Sequence, residues 1–349
     1  MNVTKDELMN LIQAKLTKAG LSGEHASVVA DVLAFADAKG AHSHGAIRVE
    51  YYAERIVKGG INANPNFKFE KTGPSTAVFH GDNATGHVAA KQAMDEAIQM
   101  AKTNGVAIVG VRQISHSGAL AYFVQQAARE DLIGISVCQA DPMAVPFGGS
   151  EAYYGTNPIA FAAPGKNGKM ITFDMATTVK AWGRILEARS KNEMIPDTWA
   201  VDNEGNPTRD PFKVGGLLPI AGAKGFGLAM MVDILSGVLL GLPFGNQVSP
   251  LYGDLTQDRN LGQLHIVINP AFYSDLETFK ANIEQTMADM NNMKPAPGYE
   301  SVQYPGQGSE ARALASEENG IEIVDEIYEY LVSDAIHHDR YHNYDPFAD

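Results

Sequence analysis

The sequence predicts an α/β protein with a small helical module at its N-terminus. The first 60 residues show only helical spacing of apolar residues. From Thr76 onward, short β-type runs alternate with helical patterns, which is typical of a sheet covered by helices. The stretch 62–74 is rich in Asn, Pro and Gly and separates the two patterns. We therefore expect a helical unit over 1–75 and an α/β unit over 76–309.

The individual elements follow from apolar spacing and capping residues. Thr4 and Glu7 form a capping box that opens the first helix, and Gly20 ends it. The C-terminal part, within 310–349, is expected to join the N-terminal unit, and a division of the α/β unit near 120 stays open. The segment 293–308 is rich in Pro and Gly and predicts a loop. In chain order the patterns predict helices at 25–35, 44–56, 87–102, 119–129, 180–186, 225–240, 276–291 and 321–336, and strands at 76–80, 106–111, 133–138, 159–163, 170–174 and 264–268.

Composition and charge exclude several classes of protein. The formal charge is -14, which argues against nucleic acid or an anionic membrane as a partner, because both need a clustered basic face. A lone cysteine, Cys138, cannot form an internal disulfide. The N-terminus lacks the basic and apolar regions of a signal peptide, so we expect a cytoplasmic protein.

The most apolar stretch of the chain is 227–244. It barely reaches the length of a membrane span and contains Asp233, which is costly at the centre of a bilayer. We interpret it as a buried core or interface helix and expect no membrane association.

The first candidate site is the segment that carries His44, Arg48 and Tyr52. On a helix, residues four apart lie on one face, so these side chains would present an imidazole, a guanidinium and a phenol together. An arginine can bind a carboxylate through two parallel hydrogen bonds, so this face suits a small carboxylate. The alternative is a solvated helix face on which Arg48 pairs with Glu50 and Glu54.

The second candidate is His116, which follows a predicted strand and precedes a predicted helix. Ligand sites of α/β proteins collect at such turns. The positive end of the following helix dipole would disfavour the imidazolium form, which leaves a neutral base able to accept a proton from an alcohol. The alternative is a capping or packing histidine.

The third candidate concerns a phosphate-bearing cofactor. The dinucleotide fingerprint GxGxxG is not found after any predicted strand. Lys224 instead stands among Gly222, Gly225 and Gly227 at the start of a long helix, where amides, the dipole and a cation together favour a phosphate. The alternative is an ordinary turn at a helix start.

Two further groups of residues are ambiguous. Asp174 ends a predicted strand and either orients a ribose or a catalytic group, or caps the predicted helix at 180–186. His337, His338 and His342 lack carboxylates at metal-binding spacing, so we expect no metal site.

Several motifs in one order resemble a single known family over nearly the whole chain. This is the malate/L-lactate dehydrogenase family that lacks a Rossmann fold. The resemblance implies a non-Rossmann, mixed-sheet dehydrogenase core, NAD-dependent oxidation of a small 2-hydroxy acid, and a homodimer or higher homo-oligomer. The motifs are His-Ser-His-Gly at 42–45 with Arg48, Ser-His-Ser-Gly at 115–118, Gly-Thr-Asn-Pro at 155–158, Asp-Met-Ala at 174–176, Gly-Ala-Lys-Gly at 222–225 and Pro-Gly-Gln at 305–307.

The resemblance also implies roles for individual residues. It makes His116 the proton acceptor, and it places His44 and Arg48, with Tyr52 on the same face, beside the substrate. Ala140 and Gln307 depart from the residues expected at these positions, which puts a side-chain contact and the ribose contact in doubt. The residues implied to hold the dinucleotide are Asp174, Met175, Ala176, Lys224, Gly225, Pro305, Gly306 and Gln307.

Three functional alternatives stay open on these residues. The scaffold also suits an NAD(P)H-dependent malate or lactate dehydrogenase, or a 2-keto acid reductase of the diketogulonate type. A non-catalytic ligand-binding protein would keep the same fold. The residues alone do not fix NAD over NADP, because no ribose-reading acid stands at a known spacing.

Overall fold

A seven-stranded mixed sheet forms the centre of the computed structural model, which describes residues 1–342 and 344. From one edge to the other its strands are β2 (Lys68–Lys71), β3 (Thr76–Ala84), β4 (Val106–Ile114), β10 (Leu261–Ile268), β5 (Ile133–Cys138), β6 (Ile159–Pro164) and β7 (Met170–Met175). Neighbours β3 and β4 run parallel, and the other neighbouring strands of this sheet are antiparallel. The sheet is therefore mixed, as predicted, and unlike a parallel nucleotide-binding sheet.

Helices cover both faces of this sheet. On one face lie α4 (Gly86–Asn104) and α5 (Leu120–Arg129), whose small and apolar residues bury the inward side of β4, β5 and β6. On the other face lies α7 (Ala223–Ser236), where Val232 packs on Val137 and Leu264. Helix α8 (Leu276–Asn292) packs at the β6–β7 edge. Alternating burial along the strands and helical burial along α4 and α5 build this core.

The N-terminal helices form a second core with the C-terminal part of the chain. Helix α1 (Lys5–Ala19) starts at Thr4, whose hydroxyl accepts the amide hydrogen of Glu7 at 3.1 Å, as the capping box predicts. Its apolar face packs against α2 (Gly23–Ala38) and α3 (Val49–Val57). Strand β1 (Asn2–Val3) pairs with β11 (Ile321–Glu322), and α10 (Asp325–Val332) joins the same apolar cluster.

A third, smaller apolar cluster stands apart from the other two. It is built by α6 (Trp182–Lys191) together with β8 (Ala200–Val201) and β9 (Gly216–Leu217), which pair antiparallel. Helix α6 begins without a side-chain cap, because Ala181 occupies the capping position. The proposed role of Asp174 as the cap of this helix is therefore wrong.

Several predicted elements differ from the structure. The helix predicted over 44–56 is two short 3-10 turns, His42–His44 and Ala46–Arg48, followed by α3, because Gly45 leaves helical geometry at φ -99° and ψ -148°. Two strands precede the first predicted one, and both are short and rich in polar residues, so apolar alternation does not reveal them. Helix α9 (Gln307–Asn319) begins within the predicted 293–308 loop and has no buried residue, so it carries no helical apolar pattern. The predicted closing helix 321–336 is β11 followed by α10.

The apolar stretch 227–244 is only partly buried. Met231, Ile234, Val238 and Leu239 are 39–60% exposed on α7 and the 3-10 turn that follows it. Within the described residues, Ala223–Leu240 is a candidate membrane span by length and composition alone, and 39% of it is buried inside the fold. As a single polypeptide the chain therefore leaves an apolar ridge uncovered. The interpretation of this stretch as a fully buried core helix is wrong, whereas the interpretation as an interface helix is compatible with the exposure.

Candidate active site

His116 lies in the turn between β4 and α5. Its carbonyl oxygen accepts the amide hydrogen of Gly86 at the start of α4, at 3.1 Å. Gly118 adopts a positive φ of 77°, and a Cβ atom there would lie 2.9 Å from Nε2 of His87. The glycine therefore allows the turn to pack closely against the buried imidazole beneath it.

The turn that carries His44 and Arg48 is fixed from below by a buried carboxylate. Asp37 is 4% exposed and accepts the amide hydrogen of Ala46 at 2.7 Å, and its other oxygen lies 2.9 Å from Nδ1 of His42. A Cβ atom on Gly45 would lie 2.1 Å from this carboxylate. Burial raises the pKa of Asp37. The segment is thus held by a tertiary contact instead of by helix geometry.

The side chains of His44 and Tyr52, predicted from one motif, meet that of His116, predicted from another. The ring of His44 stacks on that of His116 with a centroid distance of 5.7 Å and an interplanar angle of 25°. The hydroxyl oxygen of Tyr52 lies 2.6 Å from Nδ1 of His116. The amide nitrogen of Gly118 also lies near Nδ1, at 3.4 Å. Nδ1 is therefore engaged by protein groups, which leaves Nε2 as the ring nitrogen available to a ligand.

The electrostatic environment keeps these imidazoles neutral. Burial, followed by the nearby His44 and Arg48, holds the pKa of His116 well below its usual range. Burial and Arg48 lower the pKa of His44 to about 4, and burial lowers that of His87 to about 3. A neutral His116 agrees with the prediction, and burial is the largest cause of its lowered pKa.

The guanidinium group of Arg48 is hydrogen-bonded, but its charge is not balanced by an ion pair in the described part of the chain. Its Nε donates to the carbonyl oxygen of Ser43 at 2.7 Å, and Nη1 donates to the hydroxyl of Tyr252 at 2.5 Å. Among the described residues no carboxylate pairs with it. The alternative network does not form, because Glu54 binds Lys58, while Glu50 binds the C-terminal residues His338 and Arg340.

A short segment, 249–252, contacts Arg48 and also an ion pair formed by two other residues. Tyr252 contacts Arg48, and the amide of Leu251 donates to Asp141 at 3.2 Å. The carbonyl oxygen of Ser249 accepts a hydrogen bond from Nη2 of Arg259 at 2.6 Å. Arg259 also pairs with Asp141 at 3.5 Å, and its charge is near enough to lower the pKa of His116. We call Asp141 and Arg259 the tail pair.

A cleft opens beside this cluster. It has a volume of about 970 Å³ and lies between the 42–48 turn and α6. Arg48 and Tyr252 line it from one side, and Arg184 and Glu187, which are paired with each other at 2.5 Å, line it from the other. Arg48 is therefore reachable from solvent by a small anion.

The segments implied to hold a dinucleotide lie along β7 and its continuation. Asp174 accepts the amide hydrogen of Ala121 at the start of α5, at 2.8 Å, and burial of the carboxyl group raises its pKa to about 6. The carbonyl oxygen of Pro305 accepts the amide hydrogen of Thr172 on the same strand at 3.1 Å. Gly306 has a φ of 95°, and a Cβ atom there would lie 2.7 Å from the carbonyl oxygen of Thr172. Asp174 and the 305–307 turn are therefore neighbours.

Lys224 stands in the first turn of α7. It is exposed and forms no ion pair with any described residue. After β7 ends at Met175, the chain continues through Ala176 to Thr177, whose carbonyl oxygen accepts the amide hydrogen of Ile220 at 2.9 Å. A Cβ atom on Gly225 would lie 1.8 Å from the carbonyl oxygen of Ile220, so only glycine fits. An unpaired lysine beside free helix amides is the donor set that a diphosphate requires, so the residues fit NAD.

Glu54, His337 and Asp339 are a geometric candidate for metal binding. Their ligand atoms lie within 4.8 Å of one another. The ammonium group of Lys58 lies 2.9 Å from Glu54 and 2.8 Å from Asp339, so a cation already balances both carboxylates. The cluster is a salt-bridge network, and the absence of a metal site stays a prediction.

Sequence reasoning missed the residues that support the site. Asp37, Tyr252, Asp141 and Arg259 carry no motif that could be read from local spacing. His87 was also missed: it is fully buried, packs against Tyr52 at a ring distance of 4.9 Å, and neither ring nitrogen has a partner in the described part of the chain. The available signal was compositional, since charged residues and histidines in otherwise apolar surroundings mark functional sites.

Comparisons with known proteins concern nearly the whole chain. A family model described as malate/L-lactate dehydrogenase matches residues 3–332. Ureidoglycolate dehydrogenase (NAD(+)) of Escherichia coli strain K12 is 60% identical over 348 residues, covering 100% of both chains. Malate dehydrogenase of Pyrococcus abyssi is 39% identical, covering 88% of this chain and 86% of the relative. The solved structure of sulfolactate dehydrogenase from Methanocaldococcus jannaschii has a TM-score of 0.89 at 38% identity and 95% coverage of each chain.

Proposed function

The chain belongs to the malate/L-lactate dehydrogenase family, and from that premise we propose that it oxidises the 2-hydroxy acid ureidoglycolate to oxalurate with NAD as hydride acceptor. The observation that carries the proposal is the 60% identity, over the full length, to the ureidoglycolate dehydrogenase of Escherichia coli. The reaction would belong to the breakdown of allantoin, a product of purine degradation.

Arg48 and His116 have different roles toward the substrate. Arg48 binds the substrate carboxylate, because its guanidinium is unpaired and lines the cleft. His116 accepts the hydroxyl proton at Nε2, since Nδ1 is engaged by Tyr52. When bound, NAD supplies the nicotinamide carbon that takes up the hydride.

Tyr52 and His44 support the proton transfer. To accept a proton at Nε2, neutral His116 must carry its hydrogen on Nδ1, and this Nδ1–H donates to the hydroxyl oxygen of Tyr52, which lies 2.6 Å away, before and after the transfer. Burial raises the pKa of Tyr52, so its hydroxyl stays neutral, and its oxygen accepts this hydrogen bond in both states of the imidazole. His44 covers one face of the His116 ring and limits its rotation. Tyr52 therefore acts on His116, and a direct substrate contact is not needed for its role.

The cofactor is proposed to lie along β7 and the start of α7. Lys224 and the first amides of α7 would hold the diphosphate, with Gly225 permitting the close backbone turn. Asp174, Met175 and Ala176, with Pro305, Gly306 and Gln307, would contact the ribose groups. Gln307 already bonds within its own turn, where its side-chain oxygen accepts the amide hydrogen of Tyr304 at 3.3 Å.

We also propose that the protein is a cytoplasmic homodimer or higher homo-oligomer. Support comes from the apolar ridge on α7 and the following turn, which a second copy of the chain would cover. Ile234→Glu should then lower the mass measured by analytical ultracentrifugation. An unchanged mass would exclude this ridge as the interface.

The decisive experiment is a steady-state screen of ureidoglycolate, malate, lactate and diketogulonate with NAD and with NADP. We expect the highest kcat/KM for ureidoglycolate with NAD. A preference for malate or lactate, or for diketogulonate as its reduction substrate, would favour one of the alternatives on the same scaffold. Failure to bind either dinucleotide, followed by nicotinamide fluorescence, would leave only a non-catalytic ligand-binding protein.

A further inference from the structure

The two arginines bound to segment 249–252 differ in charge balance. Arg48 has no carboxylate partner among the described residues, whereas Arg259 is paired with Asp141. The segment fixes all three groups through Tyr252, Leu251 and Ser249. The site therefore offers one uncompensated guanidinium, with a neutralised pair next to it.

The tail pair still has unused hydrogen-bonding capacity. Arg259 is 2% exposed, and its Nη1 has no partner in the described part of the chain. A buried guanidinium nitrogen without an acceptor is costly, so a ligand acceptor at this position would be favourable. Asp141 remains partly accessible, with 17% of its side chain exposed, and as a carboxylate it can accept further N–H groups.

We propose that Asp141 and Arg259 form the subsite for the substrate tail, and that this subsite selects a neutral, hydrogen-bonding tail over a second negative charge. The proposal rests on the proposed function in one respect, namely that Arg48 binds the substrate carboxylate. A ureido group has a carbonyl acceptor for Nη1 of Arg259 and N–H donors for Asp141. A second carboxylate has no N–H donors and would approach Asp141 with like charge.

Asp141 is thus a specificity residue in this proposal. Its negative charge balances that of Arg259, which a dicarboxylic or sulfonated substrate would need for its second anionic group. Replacing it by Asn keeps the shape and an acceptor for the Leu251 amide but frees the charge of Arg259. Replacing Arg259 by Gln in the same chain removes that charge again. The two changes together separate the effect of charge from the effect of altered shape.

The test is isothermal titration of the enzyme, with and without NADH, with two small anions of similar size. Oxamate has one negative charge and an amide, and tartronate is a 2-hydroxy acid with a second carboxylate. We expect the wild type to bind oxamate at least about tenfold more tightly than tartronate. Asp141→Asn should tighten tartronate by about tenfold, and Asp141→Asn with Arg259→Gln should lose that gain. Asp334 is an exposed acid bound to Lys18, and the variant Asp334→Asn controls for the change in net charge.

Equal wild-type affinities for the two anions would overturn the proposal, and this measurement needs no variant to fold. A tartronate gain that persists without Arg259, or that Asp334→Asn reproduces, would also overturn it. The proposed function fails separately, if the wild type does not oxidise ureidoglycolate or does not bind NADH, while the anion preference of the cofactor-free enzyme remains measurable.

Discussion

Replacing Tyr52 by Phe tests how the site stabilises a protonated base. The substitution removes the hydroxyl group that lies 2.6 Å from Nδ1 of His116 and leaves the buried ring in place. A hydrogen bond between neutral groups contributes about 1 kcal/mol, and one to a charged group about 1.5–3 kcal/mol. The difference, about 0.5–2 kcal/mol, is gained only when His116 takes up the proton. It corresponds to a decrease in kcat of roughly 2- to 30-fold.

The assay is steady-state oxidation of ureidoglycolate together with thermal unfolding. Tyr330→Phe is a matched control, because Tyr330 is also buried and its hydroxyl donates to the carbonyl oxygen of Ile336 at 2.6 Å, away from the site. Both variants should lose similar stability, about 1 kcal/mol, and only Tyr52→Phe should lose kcat. Equal kcat values for the two variants would refute the proposed stabilisation of imidazolium.

Further outcomes follow from the same geometry. His116→Ala should lower kcat about 100-fold or more while NAD still binds, and a loss below about 10-fold would remove it as general base. Arg48→Ala should act mainly on substrate capture, with a large decrease in kcat/KM, and an unchanged kcat/KM would place the carboxylate elsewhere. Because the pKa of His116 is lowered, its base form persists as pH falls, so kcat/KM should show no loss from this group as the pH falls from 8 to the usual pKa of a histidine. A loss of kcat/KM centred near that usual pKa would contradict the burial argument. The raised pKa of Asp174, about 6, means that its carboxylate is lost as pH falls through that value, so the Kd for NAD should increase there, and Asp174→Asn should abolish the dependence in fluorescence titrations.

The sequence predicts the elements that have strong periodicity and misses those without it. Strand β5 is predicted with its bounds unchanged, because β-branched apolar residues alternate at Ile133, Ile135 and Val137. Helix α9 has no buried face, so no pattern marks it. The helix predicted over 44–56 is wrong only at its start, because the buried carboxylate of Asp37 holds the turn at Gly45 outside helical geometry, and α3 begins at Val49.

The site shows the same division between local and tertiary information. His44, Arg48, Tyr52 and His116 could be proposed from their own neighbours in sequence and from family resemblance. Their arrangement could not, because Tyr52 and His116 are separated by 64 positions. The tail pair is separated by 118 positions, and its members stand in no recognisable motif.

Segment 249–252 limits how the substrate range of the enzyme can be redesigned. One short stretch of backbone and one phenol hold Arg48, Asp141 and Arg259 at fixed relative positions. Inserting or deleting a residue there would displace the anchor for the carboxylate and the tail pair together. Engineering toward new hydroxy acids should therefore vary the side chains at 141 and 259 and keep the length of this loop constant, so that a new preference does not arise at the expense of turnover.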